Sequence, residues 1–128
     1  MLNRSGVSKS TYAATKQILA NVELQSSVGC IVPSSLGATV GSKKIVKAGT
    51  PVKIDLTNLQ TPVTKADGTV ALNAVILHDV DVTAGNANGT ALIFGFVNLN
   101  RVDTDVVTAI TTALGATGVS QKLTFMKV

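Results

Sequence analysis

Tryptophan is absent from this chain, and tyrosine, histidine and cysteine occur once each among its 128 residues. A lone cysteine, Cys30, excludes an internal disulfide and a thiolate zinc cluster. Its Val-Gly-Cys-Ile-Val setting is that of a small buried hydrophobe. With one histidine, any Ser-His-Asp or Cys-His arrangement would have to use His78. No serine stands in a nucleophile-elbow pattern, and no Gly-Lys-Ser/Thr follows the Gly-Asn run at residues 85–89, so no phosphate loop is spelled out. The expectation is a protein that is not an enzyme and needs no cofactor.

Charge is also scarce, at 14% of residues against about 25% in an average soluble domain. Water-facing positions must be filled by Thr, Ser, Asn and Gly, or be covered by a partner. No apolar run is long enough to span a bilayer, and the first residues lack a signal-peptide core, so a soluble protein made in a reducing cytosol, with no membrane partner, is expected. The charge present is uneven: residues 1–66 carry eight basic side chains against two acidic, and residues 67–128 three against five. The lysines are dispersed without an aromatic stacking platform, which favours an acidic protein surface over nucleic acid as the partner.

What the chain does have is Ala, Val, Leu, Ile and Thr. β-Branched side chains fit a pleated, half-buried surface, so strands are expected. Residues 1–27 read as an N-terminal arm and residues 28–128 as a β-rich domain. Within the arm, residues 1–11 are polar and small, and Tyr12–Leu24 fits either a short helix or an extended segment. Val28–Val32, Lys43–Lys47 and Val52–Leu56 read as short strands, the last two around Ala48-Gly49-Thr50-Pro51. Thr57–Thr69 reads as a polar loop with an Asp67-Gly68 turn.

Ala71–Val82 and Ala91–Leu99 read as two core strands of a β-hairpin about the Gly85–Gly89 break, the first buried on both faces. Gly95, between Phe94 and Phe96, marks a bulge or a close backbone approach, and the two Phe read as core packing. Asp103–Leu114 reads as a helix capped by Asp103 and ended at Gly115, with an apolar stripe of Val106, Val107, Ile110 and Leu114. Leu123–Val128 closes the chain as a strand. The fold class expected is mainly β (α+β): a small, partly open barrel or sandwich, one helix near the C-terminus and an extended N-terminal arm.

His78, Asp79 and Asp81 are the one cluster with metal-ligand chemistry. Strand alternation puts His78 on the opposite face from the two carboxylates, and two carboxylates make an incomplete site. The favoured reading is a strand end whose polar side chains tie down the following loop. No metal site is expected.

The order of segments resembles a known family, the head decoration proteins of tailed bacteriophages related to the phage lambda decoration protein. Ile45-Val46-Lys47-Ala48-Gly49-Thr50-Pro51-Val52 is similar to that family's Ala-Gly-Thr-Pro strand. Ala74–Val82, Ala-Val-Ile-Leu-His-Asp-Val-Asp-Val, is similar to its central strand, with Ala74 where Gly is common. Gly85-Asn86-Ala87-Asn88 through Leu92-Ile93-Phe94-Gly95-Phe96-Val97 is similar to the following loop and Gly-Phe-Val strand. The helix from Asp103 and Leu123-Thr124-Phe125 complete the order, over residues 43–128.

The resemblance implies a protein that binds the outside of an expanded capsid and stabilises it, located in the virion and made in the host cytoplasm. It implies the major capsid protein as partner and self-association as a homotrimer; that no nucleic acid is bound is expected from the dispersed lysines instead. By analogy the arm residues Leu2, Asn3, Arg4, Val7, Lys9 and Tyr12 would contact the capsid, adding to sheet edges there. The alternative is another virion part, such as a tail-tube, head–tail connector or head-fibre base protein.

Overall fold

The computed structural model describes residues 17–21, 23–116 and 122–127. It is mainly β, with two open sheets that do not close into a barrel and one helix near the C-terminus. The strands are β1 (Ser26–Val32), β2 (Ala38–Val40), β3 (Lys43–Val46), β4 (Pro51–Lys53), β5 (Thr64–Lys65), β6 (Ala74–Ile76), β7 (Val80–Asp81), β8 (Ala87–Asn98) and β9 (Leu123–Met126). The helix α1 spans Thr104–Ala113. The larger sheet has the order β1-β8-β6-β4-β5, with β9 added parallel to β8. The smaller has the order β2-β3-β7.

Two cores lie on opposite faces of the larger sheet. Val75 and Leu92 face one core together with Val102, Val106, Ile110 and Ala113, so α1 covers that face. Ala74, Ile76 and Ala91 face the other, with Val46 and Val80 of the smaller sheet. All three residues of β6 are therefore buried, as expected for a strand covered on both faces. Burial of a side chain such as Ile76 or Leu92 contributes about 1.5–3 kcal/mol. The parallel pairing of β9 with β8 follows from α1, because parallel strands need a crossover connection.

The expected hairpin is corrected. The run Ala71–Val82 is not one strand: Ala74–Ile76 stays in the larger sheet beside β8, and Val80–Asp81 joins the smaller one beside β3. Leu77 still donates to Thr90 O at 2.9 Å. The chain then changes sheets at His78-Asp79, where the Asp79 carboxylate is bonded to a distant loop instead of sitting in a sheet interior. The turn is also shorter than expected, because Ala87, Asn88 and Gly89 are strand residues opposite Val32, Ile31 and Cys30. A Cβ at Gly89 would stand 2.8 Å from Val32 Cγ2, so glycine is what lets β8 run there.

Lys43–Val46 and Pro51–Lys53 are strands but lie in different sheets, and Gly49 between them has φ +92°. Pro51 occupies the first position of its strand, where a missing donor is tolerated. The helix stripe is Val106, Ile110 and Ala113, with Val107 packed against the same core and partly buried; Leu114 is 43% exposed, since it follows the last helical turn on the outer side. Asp103 takes the N-cap position without a side-chain cap bond, its carboxylate instead meeting Lys47. Gly115 ends the helix without a positive φ, through a tight turn in which its N–H donates to Thr112 O. Phe94 and Phe96 are not core residues: Phe94 is 44% exposed and Phe96 half-buried.

Candidate docking end

β8 changes phase partway along. Ser26 of β1 is opposite Phe94 and Ser27 opposite Leu92, which leaves Ile93 as the extra residue of a bulge. Leu92 and Val97 are five positions apart yet face the same core, as one inserted residue requires. Gly95, at φ +150°, follows the bulge, and a Cβ there would stand 3.3 Å from both Leu24 O and Gln25 Cβ. Of the two features expected of Gly95, the close approach is present there, and the bulge lies two residues earlier, at Ile93.

Beyond the bulge β8 acquires new neighbours. On one edge it carries the segment before β1: Asn98 N donates to Ile18 O at 2.7 Å, Ala20 N donates to Phe96 O at 2.9 Å, and Leu19 bridges Val97. On the other edge lies β9, with Gly95 N donating to Lys122 O at 3.1 Å. Ile18 is fully buried and Leu19 nearly so, both in the helix-side core. The described part of Tyr12–Leu24 is thus extended and clamped, and Asn21 Oδ1 turns it by accepting the N–H groups of Glu23 and Leu24.

This arrangement leaves an apolar face. Toward the start of β8, Ala91 and Ile93 pack under the smaller sheet. Past the bulge, Phe94 and Phe96 share the side away from Val97, Phe94 exposed and Phe96 half-buried. Leu24, 55% exposed, stands on one border. Ala20, Asn21, Phe96 and Met126 line a shallow depression of about 350 Å³. Sequence reading missed Leu24 and Met126; the equal parity of Phe94 and Phe96 about a glycine was the available signal.

The polar cluster is dispersed. Asp79 Oδ1 accepts the Ala48 N–H at 2.8 Å, and Asp81 Oδ1 accepts the Thr83 N–H at 2.9 Å. His78 sits at the change of sheet, with Nδ1 buried and without a hydrogen-bond partner. Among the described residues no three His, Cys, Asp or Glu side chains are grouped to hold a metal, and no helix is long and apolar enough to cross a membrane. Burial pushes the Cys30 thiol pKa up. The expected capsid-binding residues Leu2, Asn3, Arg4, Val7, Lys9 and Tyr12 lie outside the described residues. Comparison with protein-family models, curated proteins and solved structures gave no match.

Proposed function

We propose that this protein is a capsid decoration protein, which binds the major capsid protein on the outside of an expanded phage head and cements it as a homotrimer. The observation that carries this reading is the clamped root. Residues 1–16 hold Arg4, Lys9 and Lys16 and no acidic residue. They lead directly into Ile18 and Leu19, which are locked into the core and onto β8. An arm that ties a domain to a shell needs such a root, because pull on the arm must pass into the core instead of peeling a strand.

Sixteen residues reach at most about 55 Å when extended, enough to cross onto a neighbouring subunit. Strand addition by such an arm supplies main-chain hydrogen bonds. Several arms on one oligomer raise the effective concentration of each, so weak contacts suffice. Binding to the expanded shell alone stabilises that shell by linkage. The segments that resemble the decoration family, Ile45–Val52, Ala74–Val82 and Gly85–Val97, meet in the two sheets around β6 and β8, which also supports the reading.

The test is co-sedimentation of the full chain with expanded shells and with compact precursor shells. Binding to expanded shells, lost on deleting residues 1–15 while circular dichroism is unchanged, is expected. Equal binding to both shell forms, or normal binding by the truncated chain, contradicts the reading.

A further inference from the structure

Among the described strands, every edge of the two sheets but one is short or carries charge. β2 is three residues long, β5 and β7 are two each and hold Lys65 and Asp81, and β9 lies between Lys122 and Lys127. Short length and charge keep an edge from pairing with other strands. β1 has neither defence: it is seven residues long, and no charge or proline lies between Gln25 and Val32. Its outer side is open. Leu77 N donates to Thr90 O, so Thr90 and Leu92 turn their backbone groups to β6, and Gly89 and Ala91 turn theirs to β1. Cys30 and Val28, opposite those two, pair with β8, which leaves the groups of Ser27, Gly29 and Ile31 pointing outward. The Ile31 carbonyl accepts from Val63 N at 3.0 Å. Among the described residues nothing bonds the backbone of Ser27 or Gly29 on that side. Both are exposed, and a Cβ at Gly29 would meet open space.

We propose that this edge pairs with β1 of a second copy, antiparallel about a two-fold axis at Val28. Ser27 of each copy then exchanges both backbone bonds with Gly29 of the other, so every open group finds a partner. The Ser27 side chain meets a residue that has none. Identical residues lie close together about a two-fold axis, so a charge in such an edge would face its own copy. The neutrality from Gln25 to Val32 is what self-pairing requires, and β5, β7 and β9 lack it. Val63 closes the run at Ile31, and the strand begins only at Ser26, so the contact is short. Such a contact is weak in free solution and gains where many copies are held side by side. A two-fold contact cannot close a trimer; it joins one unit to the next and is independent of the capsid reading.

Sedimentation velocity of the full chain up to about 1 mM tests this, alongside amide hydrogen exchange. Doubling of the basic unit, whether monomer or trimer, is expected at the top of the series. The Ser27 and Gly29 N–H groups should gain protection there, while Val28, bonded to β8, is protected throughout. Ser27→Pro should weaken the doubling about thirtyfold, since it removes one bond from each side of the axis. The N–H it removes points away from β8, so wild-type circular dichroism should be kept. Ser27→Lys or Ser27→Glu alone should weaken the doubling about fivefold, by setting like charges across the axis. An equimolar mixture of the two should restore it.

A chain with no doubling at about 1 mM, doubling unmoved by Ser27→Pro, or a mixture no better than its components each overturns the proposal. So does Ser27 and Gly29 protection that is present at every dilution and lost on deleting residues 1–16, since the chain's own arm would then hold the edge. Shell binding lost in Ser27→Pro, where the wild type shows no doubling, assigns the edge to a shell strand and also overturns it. Should Ser27→Pro not keep the fold, the charged pair decides alone. Doubling without shell binding leaves this proposal standing and removes the capsid reading alone.

Discussion

Asp79 Oδ1 accepts the backbone N–H of Ala48 at 2.8 Å, joining the change of sheet to a turn 31 residues earlier. The same turn is held from its other side, where Gly49 N donates to Ile76 O at 2.6 Å and Ile76 N donates to Thr50 O at 3.0 Å. One carboxylate therefore fixes the relation between β6 and the strands β3 and β4 that flank the turn.

Asp79→Ala removes the acceptor and strands a part-buried N–H, which costs about 1–3 kcal/mol. Asp79→Asn keeps an oxygen at the same place and should cost less than half as much. Urea denaturation of the two variants checks this; equal midpoints would mean that the bond does not hold the turn.

Gly95 and Gly29 make a paired test of the clamp. Gly95→Ala places a Cβ 3.3 Å from Leu24 O and Gln25 Cβ, in a backbone conformation that L residues rarely adopt. Strain of this kind costs about 1–3 kcal/mol. Gly29→Ala meets nothing within 4 Å and should be neutral or slightly stabilising. If both substitutions shift the urea midpoint equally, the close approach at Gly95 is not under constraint.

Composition and periodicity made the β class and the helix position legible, because Val-, Ile- and Thr-rich runs and the Val106–Ile110 spacing report local burial. The double burial of β6 was also legible, since Ala74, Val75 and Ile76 leave no polar face. The split of Ala71–Val82 between sheets was not. It depends on Asp79 reaching Ala48, a contact that no local pattern encodes. The Phe pair was misread for a related reason: phenylalanine signals burial, but only the extent of the smaller sheet decides whether Phe94 is covered. Leu24 joins that surface through the bulge at Ile93, which becomes visible only once β1 and β8 are paired.

Acid should weaken the fold through three turn carboxylates. The Thr57 hydroxyl and N–H hold the Asp55 carboxyl below its ordinary 3.8. The Val70 and Thr69 N–H groups do the same for Asp67, and the Thr83 hydroxyl and N–H for Asp81. A depressed carboxyl contributes stability that is present above its unfolded pKa and lost as pH falls through the folded one. Urea midpoints should therefore drop below about pH 4. The combined Asp55→Asn, Asp67→Asn and Asp81→Asn variant keeps the acceptor oxygens and should show a shallower acid limb. An unchanged limb would place the acid sensitivity elsewhere.

Lys47 gives the opposite limb. Its Nζ lies 3.1 Å from Asp105 and 3.3 Å from Asp103, at the start of α1. Hydrogen bonds first to Asp105 and then to Asp103 raise its pKa above the ordinary 10.5. A raised lysine contributes stability that is fully present below its unfolded pKa and lost as pH rises through the folded one, so the contribution disappears above about pH 10.5. The buried Cys30 thiol, itself raised by desolvation, also destabilises the folded chain in alkali, so wild type alone cannot isolate the lysine. The difference between wild type and Lys47→Met does, because Cys30 is common to both. That difference should be small at neutral pH, given the exposure of Asp105, and should shrink further in high salt. It should vanish in the most alkaline samples. A difference that persists there would mean that Lys47 holds the helix start through the packing of its methylene stem and not through its charge.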